Sequence, residues 1–364
     1  MNEALIAEQQ VKRPGAAAVA EFELTARDRF LRALHCHPVD HTPVWLMRQA
    51  GRALPEYRKL KEKYTFLQLA QTPELAAEVT LQPIRRFGFD AAIIFSDILV
   101  VPEAMGAPYR FRETGGVEMD FTIKTAADID KLSVDSVVEK LTYVTDAIRL
   151  VRNELGERTA LLGFAGSPWT LANFMLDGGS AREHKGGLKL YRENRGAFEA
   201  LCDKLTEAVT EFLKAQIAAG VDAVQIFDSL GGLLPEGDFQ AASGVWMREI
   251  VASVGPQAPV IVFSKGTRDW PSLLKIGADA LGIDHGISLT EIRRKFPSRP
   301  AIQGNLDPDS VVTDTPEQIA ARVAALLEQM RGRDGYIFNL GHGLLPNARL
   351  ENVQAIVDTI RGEV

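Results

Sequence analysis

The sequence predicts an α/β fold, a (β/α)₈ TIM barrel formed as a single domain, and two observations support this prediction. Eight short apolar runs recur along the 364 residues, as expected for strands that are buried on both faces of a parallel sheet. Helical patterns lie between successive runs, and such alternation is typical of β/α units. The predicted strands are Pro43–Met47, Ala91–Phe95, Ala160–Phe164, Asp222–Phe227, Pro259–Phe263, Asp279–Ile283, Pro300–Gln303 and Gly335–Leu340.

Capping residues predict where the main helices begin and end. Thr25 is a suitable N-cap for a helix that runs to about Leu34, and we expect this helix to close the bottom of the barrel. A proline at the first position of a helix and a glycine after its last residue mark the other boundaries. The remaining predicted helices are 73–87, a helix ending at Gly156, about 197–219 and about 350–361.

Three connections between the predicted elements are unusual. Residues 48–63, after the first strand, are predicted to form a basic loop. Residues 101–121 alternate around Gly115-Gly116, which predicts a β-hairpin inserted after the second strand. Residues 167–195 form a long connection after the third strand, and loops of this length in a compact domain are usually functional.

Composition restricts the class of protein. The chain is 46% hydrophobic and 24% charged with a net charge of −7, so a nucleic-acid partner is not expected. It has two cysteines, which favours the reducing cytoplasm. No apolar stretch is long enough to span a membrane. Residues 1–24 resemble neither a secretory signal nor a transit peptide and are expected to form a mobile tail, followed by one barrel domain over 25–364.

Charged residues follow the first two predicted strands, where the catalytic groups of TIM barrels lie. Arg48 and Arg52 flank Gly51 and are suited to bind several carboxylates or phosphates, the alternative being a solvated loop with local salt bridges. Asp97 follows the second strand and is surrounded by apolar residues, where a lone carboxylate is costly without a partner. It either pairs with one of the arginines or holds a cationic or N–H-rich group.

Polar and glycine residues also follow the other strands. His342 lies between two glycines, which favours contact with a ligand over a packed position in the core. Trp169 either walls a pocket or packs as a core tryptophan. Further candidate groups at strand ends are Ser167, Asp228, Ser229, Lys265, Asp284, His285, Asn305 and Asp307.

Several types of site are not predicted. The sequence lacks a G-x-S-x-G elbow, an H-E-x-x-H motif, a P-loop and a complete G-x-G-x-x-G. His35, Cys36 and His37 look like a metal-binding trio, but they precede the first strand and should lie at the bottom of the barrel. We therefore expect a structural role for them, and we predict neither a metal site nor a cofactor.

Taken together, the motifs resemble those of the uroporphyrinogen decarboxylase family. Any one of them alone would be weak, but they occur in the family's order over nearly the whole chain after the tail. The matching pieces are MRQAGR followed by LPEYR, FSDILV, GFAGSPWTL, QIFDSLGG, QGNLDP and FNLGHG.

The resemblance implies a cofactor-free homodimer that acts in heme and chlorophyll biosynthesis. It implies removal of the four acetate carboxyls of uroporphyrinogen III as CO₂, giving coproporphyrinogen III. Asp97 would stabilise the transition state, with Arg48 as a second catalytic group. The implied substrate-binding residues are Arg48, Gln49, Ala50, Gly51, Arg52, Asp97, Phe174, Ser229 and His342.

The chain departs from the family pattern at two positions. Phe174 stands where the family usually has tyrosine, so a hydroxyl is lost while the ring is kept. Ala53 stands where the family often has an aromatic residue. Two rival functions remain at this point: a methyltransferase of the same superfamily with a zinc site of histidine and cysteines, and a catalytically silent porphyrin-binding protein.

Overall fold

The computed structural model describes residues 23–112, 115–181, 183–235 and 237–363. The tail expected over residues 1–24 lies outside this part of the chain, apart from its last two residues. Within the described ranges, no helix is both long and apolar enough to cross a membrane.

The described residues form one curled, seven-stranded parallel sheet in the order β1-β4-β5-β6-β7-β8-β9, and one two-stranded sheet, β2-β3. Helices follow the strands of the large sheet, so the fold is TIM-barrel-like. The strands are β1 Ala91–Ile93, β2 Tyr109–Phe111, β3 Val117–Met119, β4 Ala160–Gly166, β5 Ala223–Asp228, β6 Val260–Ser264, β7 Ala280–Gly282, β8 Ala301–Gln303 and β9 Tyr336–Ile337.

The helices agree with the capping analysis. Thr25 caps the first helix through the Asp28 N–H, and Gly88, in the left-handed conformation, ends the fourth. They are α1 Ala26–Leu34, α2 Pro55–Lys61, α3 Phe66–Gln71, α4 Pro73–Phe87, α5 Val100–Ala104, α6 Ala126–Asp130, α7 Val137–Lys140, α8 Thr142–Leu155, α9 Pro168–Asp177, α10 Gly186–Glu193, α11 Arg195–Ala219, α12 Val245–Val254, α13 Trp270–Lys275, α14 Leu289–Lys295, α15 Ser310–Thr313, α16 Pro316–Met330 and α17 Leu350–Arg361.

Two connections predicted as loops are partly helical. The basic segment 48–63 contains α2, which begins at Pro55 and carries basic residues in its last turn, both favourable for a helix. The long connection 167–195 contains α9 and α10. The prediction of continuous loops was therefore wrong, because residues that favour helix ends outweigh the surface charges and turn residues of these segments.

The first predicted strand, Pro43–Met47, is not a strand of the sheet. It is reduced to an isolated parallel bridge between Val44 and Phe338, with a further hydrogen bond from the Asp90 N–H to the Val44 carbonyl. The next N–H groups bind side chains instead, since Leu46 donates to the Gln49 Oε1 at 3.0 Å and Met47 to the Asn339 Oδ1 at 2.9 Å. These side-chain acceptors replace the backbone partners that a longer strand would need.

The pair β2-β3 lies within the segment for which the sequence predicts a hairpin. Tyr109 pairs with Met119 and Phe111 with Val117 in antiparallel register. Residues 113–114 between the two strands lie outside the described part, so the inserted hairpin itself stays a prediction. The pair packs beside the end of α9, where the Met119 N–H donates to the Gly178 carbonyl at 3.0 Å.

Helix α1 fills the amino-terminal end of the curled sheet, as predicted. Its buried residues Phe30, Ala33 and Leu34 belong to one apolar cluster with residues from the strands, among them Ala91 and Ala160. Because these side chains occupy the space enclosed by the sheet, the interior is a packed core at this end. A ligand can enter only from the opposite end, at the carboxyl ends of the strands.

We expect Phe30→Ala to lower the free energy of unfolding by about 3–5 kcal/mol, because it leaves a cavity in this packed interior. Phe30 is fully buried. Leu150→Ala, at a side chain that is 40% exposed on α8, is the control and should cost less than about 1 kcal/mol. Urea denaturation measures both values, and equal losses would show that α1 does not seal the sheet.

Candidate active site

Arg48 lies at the carboxyl-end rim of the sheet. Its backbone has a φ of 61°, an uncommon left-handed conformation for a residue other than glycine. The side chain lies directly against Gly343, because a Cβ added to that glycine would be 2.3 Å from the Arg48 Cδ. Glycine is thus required at position 343 for the guanidinium to lie where it does.

Gln49, Ala50 and Gly51 shape the loop that carries the arginines. The Gln49 amide is used inside the protein, since its Oε1 accepts from the Leu46 N–H and its Nε2 donates to the Ala91 carbonyl at 3.0 Å. Ala50 is half-buried against the core, and Gly51 has a φ of 150°. Gln49 therefore acts through its effect on the loop, and its side chain is not available to a ligand in this arrangement.

Arg52 is exposed and lies on a loop that Arg58 holds in place. The Arg58 Nε donates to the Arg52 carbonyl at 2.8 Å, and its Nη2 donates to the Pro346 carbonyl at 3.0 Å. Arg58 thereby joins the arginine loop to the segment after β9. Neither Arg48 nor Arg52 forms an ion pair with a carboxylate among the described residues. The alternative of local salt bridges is therefore not realised for these two guanidinium groups within that part of the chain.

Asp97 follows β1 on the same rim. Its Oδ1 accepts from the Leu99 N–H at 2.8 Å, which fixes the carboxylate and leaves its Oδ2 without a partner among the described residues. Burial raises the pKa of Asp97, while the Leu99 N–H and the positive charge of Arg48 oppose that rise. Burial and the neighbouring Arg52 lower the pKa of Arg48, and Asp97 opposes this change. Asp97 and Arg48 are therefore close enough to act on each other without forming a salt bridge.

His342 lies between Gly341 and Gly343 and is half-buried. Burial lowers the pKa of His342 to about 4, and the positive charges of Lys265 and Arg48 add to this effect. The imidazole is accordingly neutral at neutral pH. The same interactions place Lys265, which follows β6, and Arg48 near His342, so cations from two separate loops meet at one rim.

Aromatic side chains form the base of this rim. Phe164 and Phe227, at the ends of β4 and β5, have ring centroids 5.5 Å apart, and Phe227 continues to Phe263 at 6.4 Å. Phe263 in turn lies 6.4 Å from the His342 ring. The predicted strands included these phenylalanines, but the sequence did not show that they adjoin one another beneath the polar groups.

Asp228 is fully buried at the end of β5 and is held by hydroxyl groups. It accepts hydrogen bonds from Ser167 and Ser264 at 2.7 and 2.8 Å, and from Ser243 and Thr170 at 3.1 and 3.2 Å. Burial raises the pKa of Asp228, and these four donors oppose the rise. The carboxylate ties the ends of β4, β5 and β6 together, next to the half-buried Ser229.

Phe174 lies on α9, half-buried, with its ring centroid 5.2 Å from that of His184. The start of the same helix adjoins the Asp97 segment, because a Cβ on Gly166 would be 3.2 Å from the Ile98 Cβ. Trp169, in contrast, is a core residue: it is 1% exposed and its Nε1 donates to the Leu230 carbonyl at 2.9 Å. The reading of Trp169 as a pocket wall is wrong.

The histidine and cysteine residues near the N-terminus lie away from this rim. Cys36 contacts the apolar cluster beside α1, and a Cβ on Gly335, which precedes β9, would be 2.5 Å from its Sγ. Cys202 is buried on α11 in a cluster with Trp169 and Phe198. Over the described ranges, no group of three or more His, Cys, Asp or Glu side chains is arranged to hold a metal ion.

The fold and the rim are those of an enzyme of the TIM-barrel class, and the rim is suited to an anionic ligand. Cations, a solitary acid and aromatic rings converge at the carboxyl ends of the strands, where such enzymes have their active sites. Sequence comparison gives the particular family. The uroporphyrinogen decarboxylase family model matches residues 25–362, and the chain belongs to this family.

Curated relatives match over nearly the same length. The uroporphyrinogen decarboxylase of Alkalilimnicola ehrlichii is 46% identical over 340 residues, which cover 92% of this chain and 93% of the relative. That of Chloroherpeton thalassium is 45% identical over 343 residues, covering 92% and 97%. That of Pseudomonas syringae pv. syringae is 45% identical over 340 residues, covering 92% and 96%.

Solved structures of lower identity share the fold. A methyltransferase from Methanosarcina mazei is 21% identical, with a TM-score of 0.79 and coverage of 94% of this chain and 99% of that one. A B12-independent methionine synthase from Shewanella sp. W3-18-1 is 14% identical, with a TM-score of 0.53 and coverage of 80% and 88%. At these identities the likeness concerns the fold alone.

We expect Gly343→Ala to displace the Arg48 side chain, because the new methyl group would overlap its Cδ and Cγ. The KM for an anionic substrate should rise about tenfold or more, as expected for a lost charge-assisted contact. Gly196→Ala is the matched control, since nothing lies within 4 Å of the added Cβ on α11. Steady-state kinetics compares the two, and an unchanged KM in Gly343→Ala would contradict this role for Arg48.

We expect His342 to make folding sensitive to acid. The unfolded chain takes up a proton at this residue near pH 6.5, whereas the folded protein does so only near pH 4, so stability falls as the pH falls between these values. Between pH 6.5 and 4, the free energy of unfolding should fall by about 1–2 kcal/mol less in His342→Gln than in the wild type. Chemical denaturation at several pH values tests this, and parallel curves would contradict it.

Proposed function

We propose that this chain is a carboxy-lyase of tetrapyrrole biosynthesis that removes the four acetate carboxyls of uroporphyrinogen III, giving coproporphyrinogen III and CO₂. Membership of the family supports the reaction. Within the site, the position of Asp97 is the single observation that best supports the proposed reaction. It is a half-buried acid on the same rim as Arg48, and the two charges shift each other's pKa.

The substrate is an anion with eight carboxylates around its rim, and binding it requires fixed cations. Arg48 and Arg52 supply them in this proposal, with Lys265 on the other side of His342. The net charge of the chain is −7, so attraction depends on this local cluster, which focuses a positive potential in the cleft. The substrate-binding set remains Arg48, Gln49, Ala50, Gly51, Arg52, Asp97, Phe174, Ser229 and His342, with Gln49 acting through the loop.

The centre of the macrocycle presents four pyrrole N–H groups, which are donors only. A carboxylate is an acceptor-only group, so Asp97 is suited to receive them. Its Oδ1 already accepts from the Leu99 N–H, and its Oδ2 therefore faces the ligand in this proposal. The apolar surface of Phe164 and Phe227 would lie beneath the pyrrole rings.

The chemistry requires an electron sink. Protonation of the ring carbon next to the one that bears the acetate gives a cationic iminium, which takes up the electron pair when the C–C bond to CO₂ breaks. Asp97 stabilises this cation in a water-poor site, where fixed charges act more strongly than in water. The pyrrole is itself the sink, so the mechanism as proposed uses no cofactor.

Some finer features stay proposals alongside the reaction. We propose that the segment Pro43–Met47 takes the position of the eighth strand and closes the barrel, because it is hydrogen bonded both to Phe338 and to Asp90. We also propose a hairpin over residues 101–121, homodimer formation and a cytoplasmic location, on the basis of the sequence pattern and the resemblance to the family. Analytical ultracentrifugation tests the dimer.

A turnover assay with uroporphyrinogen III tests the function directly. Coproporphyrinogen, measured by fluorescence after oxidation, should accumulate together with CO₂. A silent porphyrin-binding protein would bind the substrate without turnover, and a methyltransferase would leave all eight carboxyl groups in place. Either result with the purified wild-type chain would refute the proposed reaction.

We expect Asp97→Asn to lower kcat by about 10²–10³-fold, the usual effect of removing a preorganised charge-stabilising group. The same variant should unfold at an equal or higher temperature, because burial raises the pKa of Asp97 and the ionised form therefore destabilises the folded protein. Asparagine can still accept from the Leu99 N–H. Steady-state kinetics and thermal unfolding measure the two effects, and near wild-type turnover would reject the role of Asp97.

A further inference from the structure

An open cavity of about 390 Å³ lies beside Glu103, six residues after Asp97 in the sequence. It is formed between helices on the outside of the sheet, and its lining residues are Gln71, Glu103, Ala104, Lys140, Leu141 and Tyr143. Lys140 closes one side by donating to the Ala104 carbonyl at 2.7 Å. The groups assigned above to the substrate do not line this cavity.

Glu103 connects the cavity with the acid of the active site. It is carried by α5, which begins three residues after Asp97, and its Oε2 accepts from the Gln71 Nε2 at 2.9 Å. Burial raises the pKa of Glu103, and the charge of Asp97 adds to the rise. The two carboxyl groups are therefore close enough for the charge of one to act on the other, and Glu103 lines the cavity.

Tyr109 lies near both of these carboxyl groups. Its side chain is 3% exposed, and its hydroxyl has no hydrogen-bond partner among the described residues. Burial raises the pKa of Tyr109, and the charges of Asp97 and Glu103 contribute to the rise. The Tyr143 hydroxyl at the cavity is buried without a partner in the same part of the chain. Buried hydroxyls are normally hydrogen bonded, so these positions indicate bound water.

We infer that Glu103 and Tyr109 carry protons from the outer cavity to Asp97, so that the site is resupplied from behind while the substrate covers the rim. This inference rests on the proposed function. Loss of one acetate converts R–CH₂–CO₂⁻ and one proton into R–CH₃ and CO₂: one C–C bond breaks, one C–H bond forms, and one proton is consumed. Four such losses require four protons, and the solvent that fills the cavity is their source.

The transfer uses groups of suitable chemistry. Glu103 takes a proton from water in the cavity, and the Tyr109 hydroxyl passes one proton on as it receives another, with water bridging any gap. Asp97 receives the proton and donates it to the ring carbon next to the one that bears the acetate, and CO₂ leaves. While the ring is protonated, the Asp97 carboxylate holds the cation described above. A second proton, delivered through the same groups, converts the exocyclic CH₂ to CH₃ while the ring carbon returns its proton to Asp97, so each acetate consumes one proton from the cavity.

Glu103→Gln and Tyr109→Phe test this route in the full-length protein. When enzyme and substrate are mixed rapidly, the first acetate should leave at the wild-type rate, because the site is already protonated. The later steps should be slowed at least tenfold, with KM unchanged, a larger solvent deuterium isotope effect, and recovery of rate as the concentration of imidazolium buffer is raised. A merely structural role would slow the first step as much as the later ones.

Two matched variants serve as controls. Tyr336→Phe removes a buried hydroxyl that binds the Gly304 carbonyl, and Glu78→Gln removes an acid that pairs with Arg85 on α4. Both should keep wild-type rates for every step. Uniform slowing of all steps, or no slowing, in the folded variants would overturn the inference. If Glu103→Gln does not fold, Tyr109→Phe decides alone, and an inactive wild type would refute the proposed function instead.

Discussion

The carboxyl-end rim depends on one constraint: every backbone group that the short strands leave unpaired must be satisfied by a buried side chain. Asn339 accepts from the Met47 and Leu340 N–H groups, and Gln49 bridges the Leu46 N–H to the Ala91 carbonyl. Asp228 gathers four hydroxyl groups from the ends of neighbouring strands and helices. Polar side chains inside the rim are used for structure, which leaves Arg48, Arg52 and Asp97 to face a ligand.

The electrostatics of the site follow from keeping these three residues apart. A salt bridge between Asp97 and Arg48 would neutralise both charges and leave little for a substrate. Instead, Asp97 and Arg48 lie near enough for the charge of one to shift the pKa of the other. One oxygen of Asp97 accepts a hydrogen bond from the Leu99 N–H. Burial raises the pKa of the acid and lowers that of His342, so in the empty site the charged form of each group is disfavoured. A polyanionic ligand with N–H groups at its centre satisfies both kinds of charge at once.

Much of this arrangement could be predicted from the sequence. Seven of the predicted strands, the cap at Thr25 and the last helix have their counterparts in the structure, since each depends on local apolar runs or end residues. The reduction of the first predicted strand to an isolated bridge could not be predicted, because the side chains that bind Trp45 and Met47, namely Gln303 and Asn339, lie far along the chain. The same is true of the role of Gln49 and of the four donors around Asp228. These features depend on long-range contacts that no local pattern contains.

The loop that carries Arg48 and Arg52 begins beside an isolated bridge of the sheet rather than after a full strand. Val44 makes the bridge to Phe338, and beyond it the chain is attached through side-chain amides and through the two carbonyl bonds of Arg58. Such attachments can lengthen or exchange partners one at a time, whereas a strand in a full ladder moves only as a unit. The guanidinium groups can therefore follow a ligand that turns in place and presents its side groups one after another. This attachment lets the loop with Arg48 and Arg52 shift while Asp97 keeps its position.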